Sequence, residues 1–320
     1  MLKKSSFKVY FAKKNIINIK MLSTPLRKFG NSYLELEQLN MGVYPEIFSV
    51  RDKSLNIYVL KIYKRDYSSA KLSNEAKICS LLSKKNSACF LKYISNSIDE
   101  LIVREKYIVV EYAEKGNLKN YVILGNFFCE KPAKIFMWII INAVKIIHDN
   151  GIAHRNLSIK NIFLDGFYNV KIGGFENAII FGNENKNKKV CKKLLEDDIY
   201  KLGILLLQLI TGRLDFKGAV KQTIQKGNLE IFWRIIKSQY NQSEIDLSPE
   251  LQDIINLMLS RKTCDINALL THDWFSGFNK FSQCEKEELY AYMRQELKRL
   301  KGGEEGGGED WILFNYENEI

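Results

Sequence analysis

Several polar residues that could take part in chemistry lie close together in the middle of this 320-residue chain. The stretch 151–164 carries Asn156 and Asn161, and Gly174 follows ten residues after its end. The amide of Asn156 can orient a hydroxyl group, but it has no basic lone pair near neutral pH and cannot take the proton. Asn161 offers magnesium a single neutral oxygen, which is a poor site without a carboxylate. Gly174 has no side chain, so these residues lack both a general base and a metal ligand.

Together these residues resemble the catalytic motifs of protein kinases. In that family H-R-D-L-x-x-x-N supplies a catalytic Asp and a metal-binding Asn, and D-F-G supplies the Asp that holds magnesium. Here the motifs read H-R-N and G-F-E. The resemblance implies that Asn156 stands in place of the catalytic Asp and Gly174 in place of the magnesium ligand. Because losing a positioned general base costs about 10²–10⁴ in rate, we expect an inactive member, a pseudokinase.

The upstream motifs of the family can be followed in the same order. Asn56–Ile62 resembles the V-A-I-K strand, with Glu75 as the helix partner of its lysine. Tyr107–Leu118 resembles the fifth strand and the hinge, whose backbone would bond adenine, and one of three phosphate-loop glycines remains. The resemblance implies a vestigial ATP site made of Lys61, Glu75, Gly42, Glu111, Ala113 and Asn161.

Two residues of this site are larger than the family pattern has at the same places. Val59 replaces the alanine above the adenine ring, and Phe163 replaces the leucine below it. Packed interiors tolerate little added volume, so we expect the adenine slot to be partly filled. The protein is therefore predicted to require no cofactor, to bind ATP weakly if at all, and not to bind magnesium.

Other matched residues carry structure and not chemistry. By resemblance, His154 and Phe175 belong to a hydrophobic spine, and Asp198 anchors the catalytic loop from the start of the central helix. The segment from Gly174 to Asp198 is shorter than a kinase activation segment, lacks A-P-E and contains no Ser, Thr or Tyr. Control by a phosphate on this segment is therefore excluded. Within it, the lysine-rich run 186–193 is interpreted as a solvated loop, with a patch for an acidic partner or nucleic acid as the alternative.

The resemblance implies an α+β, bilobal kinase-like fold with a small β-rich N-lobe and a larger helical C-lobe. Thr271–Phe275 resembles the H-P-W-F motif that closes the domain in Ser/Thr kinases of the calcium/calmodulin-dependent and AMP-activated type. The predicted organisation is a basic arm at 1–32, an N-lobe at 33–112, a C-lobe at 113–276, a C-terminal helix at 277–301 and a glycine-rich acidic tail at 302–320. The C-terminal helix is expected either to pack on the C-lobe or to bind a partner. The tail ends in an apolar cluster around Trp311 that could dock on a protein.

The net charge of +11 is unevenly placed along the chain. The first 34 residues carry eight lysines or arginines and no acid. A solvated tail, an arm for anionic membrane or nucleic acid, and an organelle or nuclear targeting segment are the three interpretations. The six cysteines show no metal-site spacing, and the apolar runs are too short to span a membrane. We expect a cytoplasmic protein.

These features lead to three hypotheses about function. The first is a pseudokinase that acts as a scaffold or allosteric regulator of a protein partner, which could be an active kinase. The second is a weak or unconventional ATP-dependent Ser/Thr kinase that uses Lys61, Glu75 and Asn161. The third is a basic adaptor that binds nucleic acid or anionic membrane.

Overall fold

A computed structural model describes most of the chain. The described residues are 10–12, 15–17, 27–29, 32–40, 45–64, 66–97, 106–123, 128–181, 188–214, 216, 218–239, 247–260, 265–278 and 283–300. The chain divides into two compact units. In the described parts, the first unit holds the residues up to Leu72 together with Tyr93–Tyr112, and the second holds Ser73–Lys92 and the chain from Ala113 onward.

The first unit is an antiparallel sheet of six strands in the order β3-β4-β5-β6-β8-β7. These strands are β3 (Lys28–Phe29), β4 (Tyr33–Gln38), β5 (Glu46–Arg51), β6 (Ile57–Tyr63), β7 (Tyr93–Asn96) and β8 (Lys106–Glu111). A short hairpin of β1 (Tyr10–Ala12) and β2 (Asn15–Ile17) precedes them. One face of the sheet is packed with the aromatic and branched side chains of Phe29, Tyr33, Phe48, Val50, Leu60, Ile62, Tyr107 and Val109.

The register of this sheet places two of the predicted site residues. Lys61 lies between the buried Leu60 and Ile62, opposite Ile108 of β8. Because side chains alternate across a strand, Lys61 faces away from the packed side of the sheet. Glu111 ends β8 opposite Tyr58. Gly42, the remaining glycine of the phosphate-loop motif, lies outside the described residues.

Helix α1 (Ser69–Asn86) begins in the first unit and continues into the second. Leu72, Ile78 and Leu82 of this helix are fully buried, and Ile78 and Leu82, four residues apart, lie on one helical face. Glu75 is 1% exposed, which is rare for a carboxylate.

The rest of the second unit is mainly helical. It contains α2 (Leu118–Ile123), α3 (Glu130–Asp149), α4 (Lys188–Thr211), α5 (Gly218–Gln225), α6 (Leu229–Gln239), α7 (Pro249–Leu259), α8 (Ile266–Leu270) and α9 (Gln283–Leu300). Two-stranded pieces, β10 (Ile162–Leu164) with β11 (Val170–Ile172) and β9 (Ile152–Ala153) with β12 (Ile179–Ile180), lie between α3 and α4. A β-sheet region followed by a mainly helical region confirms the predicted α+β class.

Helix α4 differs from the sequence-based interpretation. The sequence predicts a solvated loop for residues 188–193, with the helix opening at Asp198, but the helix already begins at Lys188. The loop interpretation is therefore wrong for these six residues. The chain between Asn187 and Asp198 is free of glycine and proline and rich in lysine and leucine, which are good helix formers. This helical extension takes up much of the chain in which the family has its activation segment.

Two other helices begin and pack as their local sequences indicate. Ser248 caps α7 by accepting a hydrogen bond from the Leu251 amide, with Pro249 in the first turn. Helix α9 packs against α3, with Met293 and Leu297 buried. Of the two interpretations of the C-terminal helix, packing on the C-lobe accounts for its apolar face. The tail 302–320 lies outside the described residues.

None of the described helices has both the length and the hydropathy required to cross a bilayer.

Candidate functional site

The stretch between α3 and α4 is anchored by Asp198, which is fully buried in α4. Its Oδ2 atom accepts a hydrogen bond from the His154 amide at 2.8 Å, and its Oδ1 atom accepts one from the Arg155 amide at 2.7 Å. The Nε2 atom of His148 lies 3.0 Å from Oδ2. Helix α4 therefore fixes the start of the catalytic loop through one carboxylate.

This anchor holds the loop in a conformation that side chains rarely adopt. Arg155 has a φ of 63°, in the left-handed region, which costs a residue with a Cβ about 1–2 kcal/mol. The two hydrogen bonds that Asp198 accepts, from the His154 and Arg155 amides, offset that cost. The turn directs the Arg155 backbone into Asp198 and brings the next residue, Asn156, towards the segment that follows Gly174.

His154 is buried in the core beneath the loop. Its ring lies 4.7 Å from the ring of Phe175, centroid to centroid, and the ring of Phe90 lies 6.4 Å from that of Phe175. The backbone amide of Asn156 donates to Nδ1 of His154. The Nε2 atom therefore carries the proton and donates to the Gly173 carbonyl at 3.1 Å. Burial lowers the pKa of His154, and nearby Asp198 opposes that shift only in part. The buried imidazole packs on Phe175 and forms part of the core of the second unit.

Asn156 contacts a residue that has no counterpart in the usual kinase motif. Its Nδ2 atom donates to Oε1 of Glu176 at 2.5 Å. The kinase D-F-G motif has glycine at the position of Glu176, so a carboxylate stands here where the family has no side chain. The amide at 156 and the acid at 176 therefore form a hydrogen-bonded pair.

Asn161 and Gly174 occupy the place of the metal site. The Nδ2 atom of Asn161 donates to the Asn156 carbonyl at 2.8 Å. Gly174 has a φ of 80°, and a Cβ atom added to it would lie 2.6 Å from both Nδ2 and Oδ1 of Asn161. The amide of Asn161 thus occupies the space that the Cβ atom of a side chain at 174 would need.

The residues present do not fit a magnesium ion. The carboxylate that would hold the ion is absent at Gly174, and the space beside it is taken by the Asn161 amide. Among the described residues, no three His, Cys, Asp or Glu side chains are grouped so that they could hold a metal. Magnesium in such sites is held by one or two carboxylates together with waters and substrate phosphates, and position 174 supplies no carboxylate.

The remaining predicted site residues are divided between the two units. Lys61, Val59 and Glu111 lie in the first unit, on β6 and β8. Glu75 and Phe163 lie in the second, on α1 and β10, and Ala113 opens the second unit directly after Tyr112. Within the second unit, the structure brings together His154, Asn156, Asn161, Gly174, Phe175 and Asp198.

Sequence reasoning assigned no role to Glu176 or to Glu130. Glu176 could have been found from its charge, because an acid appears in the G-F-E motif in the same chain that loses an acid at 156. Glu130 accepts hydrogen bonds from the Ser248 hydroxyl at 2.7 Å and from the Trp274 indole at 2.8 Å. No local sequence pattern announces that contact, since its partners lie more than a hundred residues away.

The chain is similar in sequence to several known protein kinases. The chain is 27% identical over 214 residues to NUAK family SNF1-like kinase 2 of Rattus norvegicus, which covers 61% of this chain and 33% of that protein. It is 28% identical over 212 residues to the probable serine/threonine-protein kinase KCC4 of Saccharomyces cerevisiae (58% and 20%). It is 24% identical over 301 residues to the probable serine/threonine-protein kinase MARK-A of Dictyostelium discoideum (87% and 26%).

These similarities are distant and partial. The chain spans a third or less of the length of these three relatives. The family described as the protein kinase domain matches residues 33–275. Because that match covers well over half of the sequence, the chain belongs to the protein kinase domain family.

Proposed function

We propose that this protein is a pseudokinase, a kinase-like domain without phosphotransfer activity that serves as a scaffold or allosteric regulator of a protein partner. The observation that carries the proposal is the packing of the Asn161 amide against Gly174, in the space of the missing metal ligand. Phosphoryl transfer depends on metal ions that neutralise the developing charge. A site that lacks the carboxylate and fills its space loses that stabilisation.

The residue in place of the catalytic base supports the same proposal. The side-chain amide of Asn156 donates a hydrogen bond to Glu176. It therefore acts as a hydrogen-bond donor where the family has a proton acceptor. An active kinase would need the opposite polarity at this position, because the substrate hydroxyl must lose a proton. The replacements at 156 and 174 affect two different requirements of phosphoryl transfer, the proton acceptor and the metal ligand.

The retained architecture supports a partner-binding role. The anchor at Asp198 and the buried pair of His154 and Phe175 hold the kinase architecture together although its chemistry is altered. A stable domain of this kind offers surfaces, and helix α4 presents one in place of an activation segment.

Two measurements test the proposal. The first is thermal unfolding of the purified chain with and without millimolar ATP and magnesium. A ligand at about 100 times its Kd stabilises by roughly 2.7 kcal/mol, which raises Tm by several degrees. We expect no magnesium-dependent shift. A shift that appears only when both ATP and magnesium are present would contradict the proposal.

The second measurement is transfer of radiolabelled phosphate to the chain itself and to generic protein substrates. We expect the incorporation to equal that of a Lys61→Ala variant, because phosphotransfer by this fold requires the strand lysine. Incorporation that disappears in the Lys61→Ala protein would replace the proposal by an active kinase.

A weak phosphotransferase is the second candidate, and the carboxylate of Glu176 is the observation in its favour. It lies 2.5 Å from the Asn156 amide, close to where the family places its base, and could accept a proton in place of Asn156. In this case radiolabel transfer would be abolished by Glu176→Gln as well as by Lys61→Ala. The filled space beside Gly174 argues against it, because a base does not replace the metal.

The third candidate is an adaptor for a polyanion, supported by the start of α4. Lys188, Lys189, Lys192 and Lys193 are exposed there, and the first turn contains no acidic residue. Residues four apart lie side by side on a helix, so the four ammonium groups share one face. This arrangement suits an anionic partner, such as nucleic acid or an acidic protein surface.

A further inference from the structure

The seven residues Phe175–Phe181, here called the strap, leave Gly174 and run along the second unit. Phe175, its first residue, packs on His154, and Glu176 accepts a hydrogen bond from the side-chain amide of Asn156. Both partners belong to the catalytic loop. The strap is therefore fastened to that loop from its first residue.

The middle of the strap is held from two directions through backbone carbonyls. The Nη1 atom of Arg155 donates to the carbonyl of Asn177 at 3.2 Å. The Nδ2 atom of Asn74 donates to the carbonyl of Ala178 at 2.9 Å. Asn74 lies on α1 directly before Glu75, so this second contact joins the strap to that helix.

The end of the strap is part of a small sheet. Ile179 and Ile180 form β12 and pair with Ala153 and Ile152 of β9, immediately before the catalytic loop. The Phe181 amide donates to the Gly151 carbonyl at 2.7 Å. Each residue of the strap is therefore held by a side chain or by the backbone of another element.

We infer that the strap is a permanent clamp that fixes helix α1 to the catalytic loop, and that Asn156 and Glu176 are an exchanged pair that fastens it. The inference rests on the proposed function and deepens it, because it makes the regulator a one-state domain. In kinases the corresponding segment is ordered by phosphorylation. Here the segment from Gly174 to Asp198 offers no hydroxyl to phosphorylate, and the strap is held without one.

In this exchanged pair, the amide of Asn156 and the carboxylate of Glu176 are each suited to the other. An aspartate at 156 would face Glu176 with a second carboxylate at hydrogen-bonding distance, where like charges repel. A glycine at 176 would remove the acceptor of the Asn156 amide. With amide and carboxylate together, the contact is a charge-assisted hydrogen bond, which is shorter and stronger than a neutral one.

A double-mutant cycle tests the pair. The variants are Asn156→Asp, Glu176→Gln and the combination of both, compared by Tm at pH 7. We expect Asn156→Asp to lower Tm by about 3–6 °C, and Glu176→Gln to lower it by about 1–3 °C. The double variant should regain most of the loss of Asn156→Asp, because the introduced glutamine would donate to the introduced aspartate and restore the bond with its direction reversed.

The control for the cycle is Glu288→Gln, which neutralises an exposed carboxylate on α9. Combined with Asn156→Asp, it should give additive losses, because the two sites share no contact. If Glu176→Gln rescued Asn156→Asp no better than Glu288→Gln does, the exchanged pair would be refuted.

Hydrogen exchange of the full chain tests the clamp. Asn74→Ala removes the contact between α1 and Ala178, and we expect it to speed exchange of the α1 amides near residue 74 about fivefold. Lys77→Ala changes an exposed side chain of the same helix and should leave these rates unchanged. Equal effects of the two variants would show that the strap does not fix α1.

The same experiment separates a permanent clamp from a switch. We expect ATP with magnesium to leave exchange of the Ile179–Phe181 amides unchanged. Altered protection there on adding nucleotide would overturn the one-state inference. Phosphate incorporation, by contrast, overturns the proposed function, so the two failures are distinguishable.

Discussion

Asn161 lies so close to Gly174 that a Cβ atom on the glycine would come within 2.6 Å of both terminal atoms of the asparagine amide. Distances below 3.0 Å require that something moves. The amide is held in place by its hydrogen bond to the Asn156 carbonyl. Restoring the family's aspartate at 174 would therefore strain the site before any metal could bind.

The first prediction concerns Gly174→Asp. The variant should lose about 2–4 kcal/mol of unfolding free energy, because an aspartate must adopt a φ of 80° and displace Asn161. It should also show no magnesium-dependent gain in Tm with ATP. Urea unfolding measures the loss, and thermal unfolding with and without magnesium measures binding.

Gly227→Asp is the matched control for that variant. Gly227 has a φ of 68°, and an added Cβ would meet nothing within 4 Å. Its replacement carries the cost of the left-handed backbone without the clash. Equal losses at 174 and 227 would mean that Asn161 yields freely and that the site is not filled.

The second prediction concerns pH and His154. Burial lowers the pKa of this histidine from its ordinary value of 6.5, so the unfolded chain binds the proton more readily than the folded one. The stability contributed by the neutral ring is complete above pH 6.5 and is lost as the pH falls from there towards the folded pKa. The slope approaches about 1.4 kcal/mol per pH unit.

Replacing His154 isolates this contribution. A His154→Gln variant will be less stable at pH 7, but its unfolding free energy should fall less steeply between pH 6.5 and 5 than that of the parent. His148 and His272 are present in both proteins, so their contributions cancel in the difference. Parallel curves would contradict the assignment of a depressed pKa to His154.

The arrangement of the core was open to prediction because its signals are local. The alternating apolar residues of β4, the helical spacing of α3 and the Ser-Pro cap of α7 can each be recognised within a few residues. The motif order from Lys61 to Asp198 then gave the family. The structure adds the position of these elements and the contacts of the buried anchor at Asp198.

Contacts between residues that are far apart in the sequence could not be predicted from such local signals. The contact of Asn156 with Glu176 requires the turn at Arg155, which is set by Asp198 of another helix. The early start of α4 reflects the high helix propensity of lysine and leucine, whereas the expectation of a loop rested on charge alone. The first feature depends on a tertiary contact, and the second on a local propensity that charge does not reveal.

The third prediction concerns Glu130 at the start of α3. Its carboxylate accepts from the Ser248 hydroxyl and from the indole of Trp274, a side chain only 1% exposed. Glu130→Ala leaves the indole N–H without its acceptor, and we expect a loss of about 2–4 kcal/mol in urea unfolding. Because Trp274 lies in the motif that closes the domain, the loss should appear in a single cooperative transition.

Glu230→Ala serves as the control for Glu130→Ala. Glu230 pairs with Arg234 on the surface of α6, and both side chains are mostly exposed. Such pairs contribute little, so the change should stay within about 0.5 kcal/mol. A Glu130→Ala loss of the same size would show that the buried tie to Trp274 is dispensable.

The last prediction concerns the lysines at the start of α4 and the adaptor hypothesis. Lys188 and Lys192 are exposed and lie one turn apart, where two like charges repel each other and also oppose the helix dipole. A polyanion bound on this face would relieve both costs.

If double-stranded DNA binds there, its affinity should fall steeply with salt, and Lys188→Gln/Lys192→Gln should reduce the slope of log K against log salt by about 1–2. The charge-matched variant Lys221→Gln/Lys226→Gln, which alters exposed lysines in and just after α5, should leave that slope unchanged. Equal reductions by the two variants would mean that the net charge of the protein, and not the α4 face, attracts the polyanion. The adaptor hypothesis would then lose its structural support, because nothing would distinguish the helix that replaces the activation segment from the rest of the basic surface.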